Sequence, residues 1–397
     1  MTSSLEETPV RSPAAIAVPV PFLDLRPSHA PLKERILADI ADLIDTGAFT
    51  NGPQVAAFER AFADYCGTEH CVGVASGLDA LRFALMALKL QPGHEVIVPA
   101  ATFVATLEAV SQAGGTPVVV DVGESDYGLD PAAVEEAIGS RTRAILPVHL
   151  YGQVADVVAL REIADRHGIA LVEDACQAQG AERDGIRAGR AGLAAAFSFY
   201  PGKNLGAFGD AGALVTDDAE VATLVRSLRE HGQRAKYEHA IEGYTSRLDS
   251  IQALALGHKL PELDGWNDQR RAAAAHYNGA LEGVGDLVLP PTPEGSNPVW
   301  HLYVIRTADP AELAAFLSER QIGSGRHYPD PVHLTEPYAH LGHGKGSFPV
   351  AEALSAGALS LPMFPGITEQ QLASVTAAVT DFYGERTGQR RAAPTDR

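Results

Sequence analysis

Cysteine is scarce in this chain, and its pattern excludes two classes of protein. The three cysteines, Cys66, Cys71 and Cys176, form no C-x-x-C pair, so neither a disulfide framework nor a cysteine-rich zinc site can be built from them, and no metal is expected. Positive charge is also short. Thirty-one Lys and Arg stand against fifty Asp and Glu, a formal charge of −19, and no basic patch interrupts the excess. Polyphosphate backbones and anionic lipid surfaces are repelled by that balance, which argues against nucleic-acid or membrane partners. No apolar run approaches the roughly 18–20 residues of a membrane span. Residues 14–20 are apolar but broken by Pro19, with Glu6 and Glu7 where a signal peptide carries cations. A cytoplasmic protein is expected. There is likewise no G-x-G-x-x-G after the first strand-like run, so no dinucleotide fingerprint is present.

What remains is enough for a substantial core. Of 397 residues, 46% are hydrophobic and 20% charged, which suits a folded chain of two or three domains. Residues 1–20 hold three prolines among small and polar residues, and 386–397 show no apolar periodicity; both read as tails. From about 70 to 216, short apolar runs alternate with helix-period segments. The runs fall at 71–75, 95–99, 117–122, 143–148, 169–173, 194–199 and 212–216, with helices expected at 78–89, 102–112, 131–138 and 156–167. Such alternation predicts an α/β fold whose mostly parallel sheet is covered by helices on both faces. After about 260 a helix at 265–281, a Pro/Gly-rich stretch at 290–298, a strand at 302–307 and a helix at 310–320 suggest a smaller α+β domain. The expected division is thus 21–260 for a large domain with an N-terminal arm and 261–385 for the small one.

In open α/β sheets ligands sit beyond the carboxyl ends of the strands, and three strand ends here carry unusual residues. In ASGLDAL (75–81) a run turns into a helix at Gly77, so backbone amides could face an anion; taken alone, the string more often marks an ordinary N-capped helix. In IALVEDACQ (169–177) a hydrophobic strand ends in acids, placing Asp174 at a pocket edge, where it could hold a protonated ring nitrogen or simply cap a helix. In FSFYPGKNLG (197–206) a Pro-Gly turn presents Lys203 beside Ser198, framed by aromatics and glycines. Most lysines are solvated surface charges. A pyridoxal phosphate enzyme, however, needs a lysine for a Schiff base, an acid for the pyridine nitrogen, and a helix start with a hydroxyl for the phosphate. These three segments supply that set together.

Several longer strings carry a specific resemblance. They are FTNGPQVAAFERAFADYCG (49–67), ASGLDAL, TFVAT (102–106), PVHLYGQ (147–153), EDACQAQGA (173–181), SFYPGKNLGAFGDAGAL (198–214), YTSRLDSIQA (244–253), HYPDPVHL (327–334) and LPMFPGIT (361–368). With them the chain, from about 21 to 383, resembles the DegT/DnrJ/EryC1/StrS family of fold-type I, pyridoxal phosphate-dependent sugar aminotransferases. The resemblance implies that Lys203 carries the cofactor and shuttles the proton, that Asp174 pairs with the pyridine nitrogen, and that Gln177 contacts the ring hydroxyl region. Phe103 would stack on the ring, where an amphipathic-helix reading makes it a core aromatic. The amides of Gly77 and Leu78, with the Ser198 hydroxyl, would hold the phosphate. Thr245 and Arg247 would enter the site of a partner chain in a homodimer with shared sites. His327 and Tyr328 would lie near the sugar; without the resemblance they read as a surface loop.

Two positions depart from the family pattern: Leu78 stands where a hydroxyl residue is usual, and Thr245 where asparagine is. The phosphate cup is therefore expected to be short of side-chain partners. Lysine at 203, in place of the histidine of deoxygenating relatives, implies transamination. The implied reaction moves an amine from glutamate to a nucleotide-linked, dTDP-type keto-deoxyhexose in amino-sugar and antibiotic biosynthesis. Gln177 in EDACQ, with PVHLYGQ, resembles enzymes that aminate C-3. C-4 amination, amination of a cyclitol ketone, and a catalytically silent pyridoxal phosphate-binding regulator are the alternatives.

Overall fold

The computed structural model describes residues 18–392, with side chains to residue 386. Seven runs of valine, isoleucine, leucine and alanine form the central sheet because both of their faces are covered: strands β1 (His70–Val74), β2 (Glu95–Pro99), β3 (Thr116–Val120), β4 (Thr142–Ile145), β5 (Ala170–Asp174), β6 (Ala194–Ser198) and β7 (Gly212–Thr216). Their order is β1-β7-β6-β5-β4-β2-β3. β7 alone runs against its neighbours, pairing Val215 with Ala195 on one side and Leu214 with Val72 on the other. The remaining pairs are parallel, as in Val172 with Ala194 and Ile97 with Val118. Helices Gly77–Ala87, Ala105–Gln112 and Ala219–Leu228 and those at Pro53–Cys66, Val157–His167 and Ser250–Lys259 belong to two separate buried clusters that share the strands' alternating residues. The expected α/β architecture is present.

Alternation puts the carboxyl ends of β1, β5 and β6 on one edge, together with the start of β7. There the turn after β1 lies against β7 so closely that a Cβ at Gly212 would stand 2.3 Å from the Ser76 carbonyl oxygen. Only glycine permits that approach.

The C-terminal part is built on helices Leu263–Leu281, Pro310–Glu319 and Glu369–Ala392 around an antiparallel pair, β8 (Tyr303–Arg306) and β9 (Ala358–Leu361). Tyr277, Tyr303, Leu313, Val379 and Phe382 fill its core. Both expected tails are shorter than the sequence suggests. Val20 is fully buried in this same core, and its amide donates to the Gln321 carbonyl at 2.9 Å; residues 1–17 lie outside the described residues. At the other end the last helix passes 386 and continues to Ala392, and 393–397 lie outside. Apolar periodicity is not what extends that helix. Arg386 reaches back to Asp309 at 2.6 Å and Glu312 at 2.7 Å, tying the turn to the neighbouring helix through charge. Among the described residues no helix is long and apolar enough to cross a membrane.

Candidate active site

A cavity of about 450 Å³ opens at the carboxyl edge of the sheet. It is lined by Gly77, Leu78, Phe103, Asp174, Gln177, Ser198, Lys203, His327 and Tyr328, so nine of the eleven residues singled out in the sequence meet at one place.

Asp174 ends β5 and is 6% exposed. Its Oδ2 accepts from the Thr106 hydroxyl at 2.9 Å, and its Oδ1 from the Cys176 amide at 3.2 Å. Thr106 is itself held by Thr102 at 2.7 Å. The preceding residue, Glu173, points the other way, as strand alternation requires. It is fully buried and receives the His149 ring at 2.9 Å and the amides of Gly189, Ala191 and Gly192. Burial alone would raise its pKa; His149 and the Gly189 and Gly192 amides outweigh that and hold the carboxyl below its ordinary range. The two adjacent acids therefore do different work. Glu173 anchors the strand end, while Asp174 faces the cavity as a carboxylate whose bonds to Thr106 and Cys176 fix its direction.

Ser76 caps helix Gly77–Ala87, its hydroxyl accepting from the Asp79 amide at 3.1 Å. The first-turn amides of Gly77 and Leu78 have no intrahelical acceptor and border the cavity. A Cβ at Gly77 would lie 2.7 Å from both the Cys176 sulfur and the Ser198 Cβ. A bare backbone is thus what brings this helix start against β6. Ser198 closes β6 with its hydroxyl at the same corner, accepting from the Tyr200 amide at 3.3 Å.

Lys203 follows on the turn after β6, where its amide donates to the Tyr200 carbonyl at 2.8 Å. Desolvation pushes its ammonium below the ordinary lysine value, opposed by the nearby Cys176 and Asp174. That shift favours the free amine a nucleophile needs. Gln177 accepts from the Tyr151 amide at 2.7 Å through Oε1, which turns its Nε2 toward the Tyr328 hydroxyl at 3.2 Å. His327 sits beside Ser360, Nδ1 to Oγ 2.8 Å, and burial followed by the Lys203 charge lowers its pKa. Tyr328 is pushed up by burial.

Phe103 is 49% exposed, with its ring centroid 5.4 Å from that of Tyr328. The expectation of a helix starting at 102 fails here. The helix begins at Ala105, and residues 101–104 form a turn that delivers Phe103 to the cavity instead of the core.

Two expected residues are not brought in. Thr245 is exposed and its hydroxyl pairs with His231 Nε2 at 3.1 Å. Arg247 pairs with Glu230 at 3.0 Å. Neither lines the cavity of its own chain.

Sequence reasoning missed several lining groups: Phe22 and Leu23 of the N-terminal segment, Thr106 and His301. It also missed Tyr151, whose contacts reach the site from behind. Thr106 and Tyr151 lie inside TFVAT and PVHLYGQ, so a signal existed. Phe22 carries none, because only folding brings the arm back across the cavity.

A lysine and a carboxylate converging with a bare helix start on the edge of a seven-stranded α/β sheet define an enzyme of amine–carbonyl chemistry. The chain matches the DegT/DnrJ/EryC1/StrS aminotransferase family over residues 31–380 and belongs to it. It is 49% identical, over 91% of its length and 96% of the relative's, to the dTDP-3-amino-3,4,6-trideoxy-alpha-D-glucose transaminase of Streptomyces venezuelae. The solved structure of S. venezuelae DesV in complex with a ketimine intermediate is similar at a TM-score of 0.90 and 49% identity, covering 92% of this chain and 98% of that one. That of NtdA from Bacillus subtilis, with bound cofactor PMP, is similar at 0.86 and 31%, covering 94% and 86%.

Proposed function

We propose that this aminotransferase moves an amino group from glutamate to C-3 of a dTDP-linked keto-deoxyhexose, an amino-sugar step of antibiotic biosynthesis. Likeness to the S. venezuelae transaminase along nearly the whole chain carries the choice of substrate. Pyridoxal 5'-phosphate is the proposed cofactor, and the site residues fit it. The bare backbone at Gly77, beside the Ser198 hydroxyl, suits a phosphate at a helix start. Bound there, the group supplies an electron sink for making and breaking bonds at an amine-bearing carbon. Asp174 would hold the ring-nitrogen proton by charge-assisted hydrogen bonding. Lys203, its amine made available by desolvation, would attach the cofactor and carry the proton between the amine-bearing carbon and the cofactor carbon. Phe103 would cover the ring face and Gln177 would meet its hydroxyl edge, while His327 and Tyr328 would face the sugar.

The same reading makes the protein a cytoplasmic homodimer. Thr245 and Arg247, outside their own cavity, would complete the site of a second copy. It also divides the chain into a large cofactor-binding unit (21–260) and a small unit (261–385), supported by the separate core around Tyr277 and Tyr303.

Purified protein should absorb in the visible and lose that band on adding glutamate. Incubation with pyridoxamine phosphate and a panel of 3-keto and 4-keto dTDP-sugars, read by mass and NMR, should give the 3-amino product. A band indifferent to every amino donor would favour a silent binding protein, and amination at C-4 would correct the regiochemistry.

A further inference from the structure

His327 is held at three points. Its Nδ1 meets the Ser360 hydroxyl at 2.8 Å, the Phe22 ring stacks on its face with centroids 5.6 Å apart, and its backbone carbonyl accepts from the Tyr151 hydroxyl at 2.5 Å. Ser360 is fully buried on β9. Tyr151 lies on the loop after β4 with φ 58, a left-handed conformation that tyrosine seldom adopts. Such a backbone persists where its surroundings over-determine it, and those surroundings are often functional. Here they are unusually specific. The Tyr151 amide fixes the Gln177 carboxamide at 2.7 Å while its hydroxyl fixes the chain at His327. One residue therefore bonds to both the cofactor side and the sugar side of the cavity.

We propose that Tyr151 and Ser360 are positioning residues that set His327 for the keto sugar, with Tyr151 tying that setting to Gln177; this rests on the function proposed above. The Ser360 contact engages Nδ1 and leaves Nε2 for a substrate hydroxyl. Phe22 restricts rotation of the ring, and Tyr151 fixes the backbone from which the ring projects. Neither Tyr151 nor Ser360 need touch the substrate. The effect of their two hydroxyls passes through His327.

Tyr151→Phe removes the hydroxyl bond and keeps the amide bond to Gln177. Ser360→Ala frees Nδ1. One lost hydrogen bond corresponds to about three- to tenfold in affinity. Each variant should therefore raise KM for the keto sugar by about that factor, with kcat, KM for glutamate and the visible spectrum nearly unchanged. The double variant should fall short of the product of the two effects, because both act on one side chain. A merely structural role predicts another pattern: a lower melting temperature, loss of the visible band and both KM values altered together. That pattern, or an unchanged sugar KM in Ser360→Ala and Tyr151→Phe beside an active wild type, overturns the proposal. A wild type that turns over no keto sugar overturns the proposed function itself, and this inference with it.

Discussion

The ammonium of Lys259 donates to the ring nitrogen of His29 at 2.9 Å and to the Gly206 carbonyl at 2.6 Å, with no carboxylate in ion-pair range among the described residues. Lys259 is 1% exposed, and the Phe208 ring centroid lies 4.3 Å from its charge. A buried lysine thus fastens the N-terminal segment to the turn three residues beyond Lys203. Desolvation pushes Lys259 down to about 8; desolvation, then the Lys259 charge, pushes His29 down to about 4.

This arrangement has a pH signature. In the unfolded chain the lysine stays protonated to about 10.4, whereas the folded protein releases the proton near 8. Between those values the unfolded state binds more protons, so stability from this site rises with pH and is lowest below pH 8. Lys259→Met removes the effect. The wild-type advantage in unfolding free energy should grow by about 2 kcal/mol between pH 7.5 and 9.5. A flat difference across that window in denaturant titrations would show that the ammonium is not desolvated.

Lys203→Ala should abolish turnover, because among the described residues no other amine lines the cavity to attach the cofactor and carry the proton. Borohydride reduction of the holoenzyme should add the cofactor's mass to the peptide containing Lys203 in the wild type and to no peptide in the variant. Steady-state turnover by the variant would defeat the assignment.

Asp174→Asn keeps the shape and removes the charge. A weakened hold on the ring nitrogen should lower kcat by about a hundredfold or more, about 2.7 kcal/mol of barrier. Thr106→Val, which deletes one donor to the same carboxylate, should cost less, about tenfold or under. If Asp174→Asn lost less than tenfold in kcat, Asp174 would be an acid that holds the turn at Cys176 and nothing more.

The proposed phosphate cup offers a gain of function. Leu78 lines the cavity without a hydroxyl, and Thr245 spends its own on His231. Leu78→Thr and Thr245→Asn should each slow cofactor loss on dialysis, by roughly ten- to a hundredfold for one added hydrogen bond to a charged group. Cofactor dissociation rates followed by absorbance decide the matter. Rates unchanged in both variants would mean that backbone amides and Ser198 already satisfy the phosphate.

Much of the site was legible because its residues stand at strand ends, where an apolar run stops at a residue it cannot bury. Asp174, Ser198 and Lys203 are of that kind, and the strand expectations near them hold to within a residue or two. Phe103 was harder to place. Its helical spacing reads as core until the turn at 101–104 shows that the helix starts later. The tails were misjudged for related reasons. Val20 is buried by a long-range pairing with Ile322, and the helix past Arg386 is tied by ion pairs to 309 and 312, neither of which leaves a local pattern.

By itself the sequence determined the α/β class, the sheet's buried strands, and which lysine, acid and helix start the proposed chemistry would use, since each depends on hydrophobic period or on residue type at a strand end. Only the tertiary structure decided that Phe22 covers His327, that Tyr151 spans from Gln177 to residue 327, and that Lys259 lies buried against His29 and Gly206. Those contacts join residues 22 with 327, 151 with 327 and 29 with 259. Chain neighbours carry no trace of such pairings, which arise when the sheet, the arm and the C-terminal part close on one another.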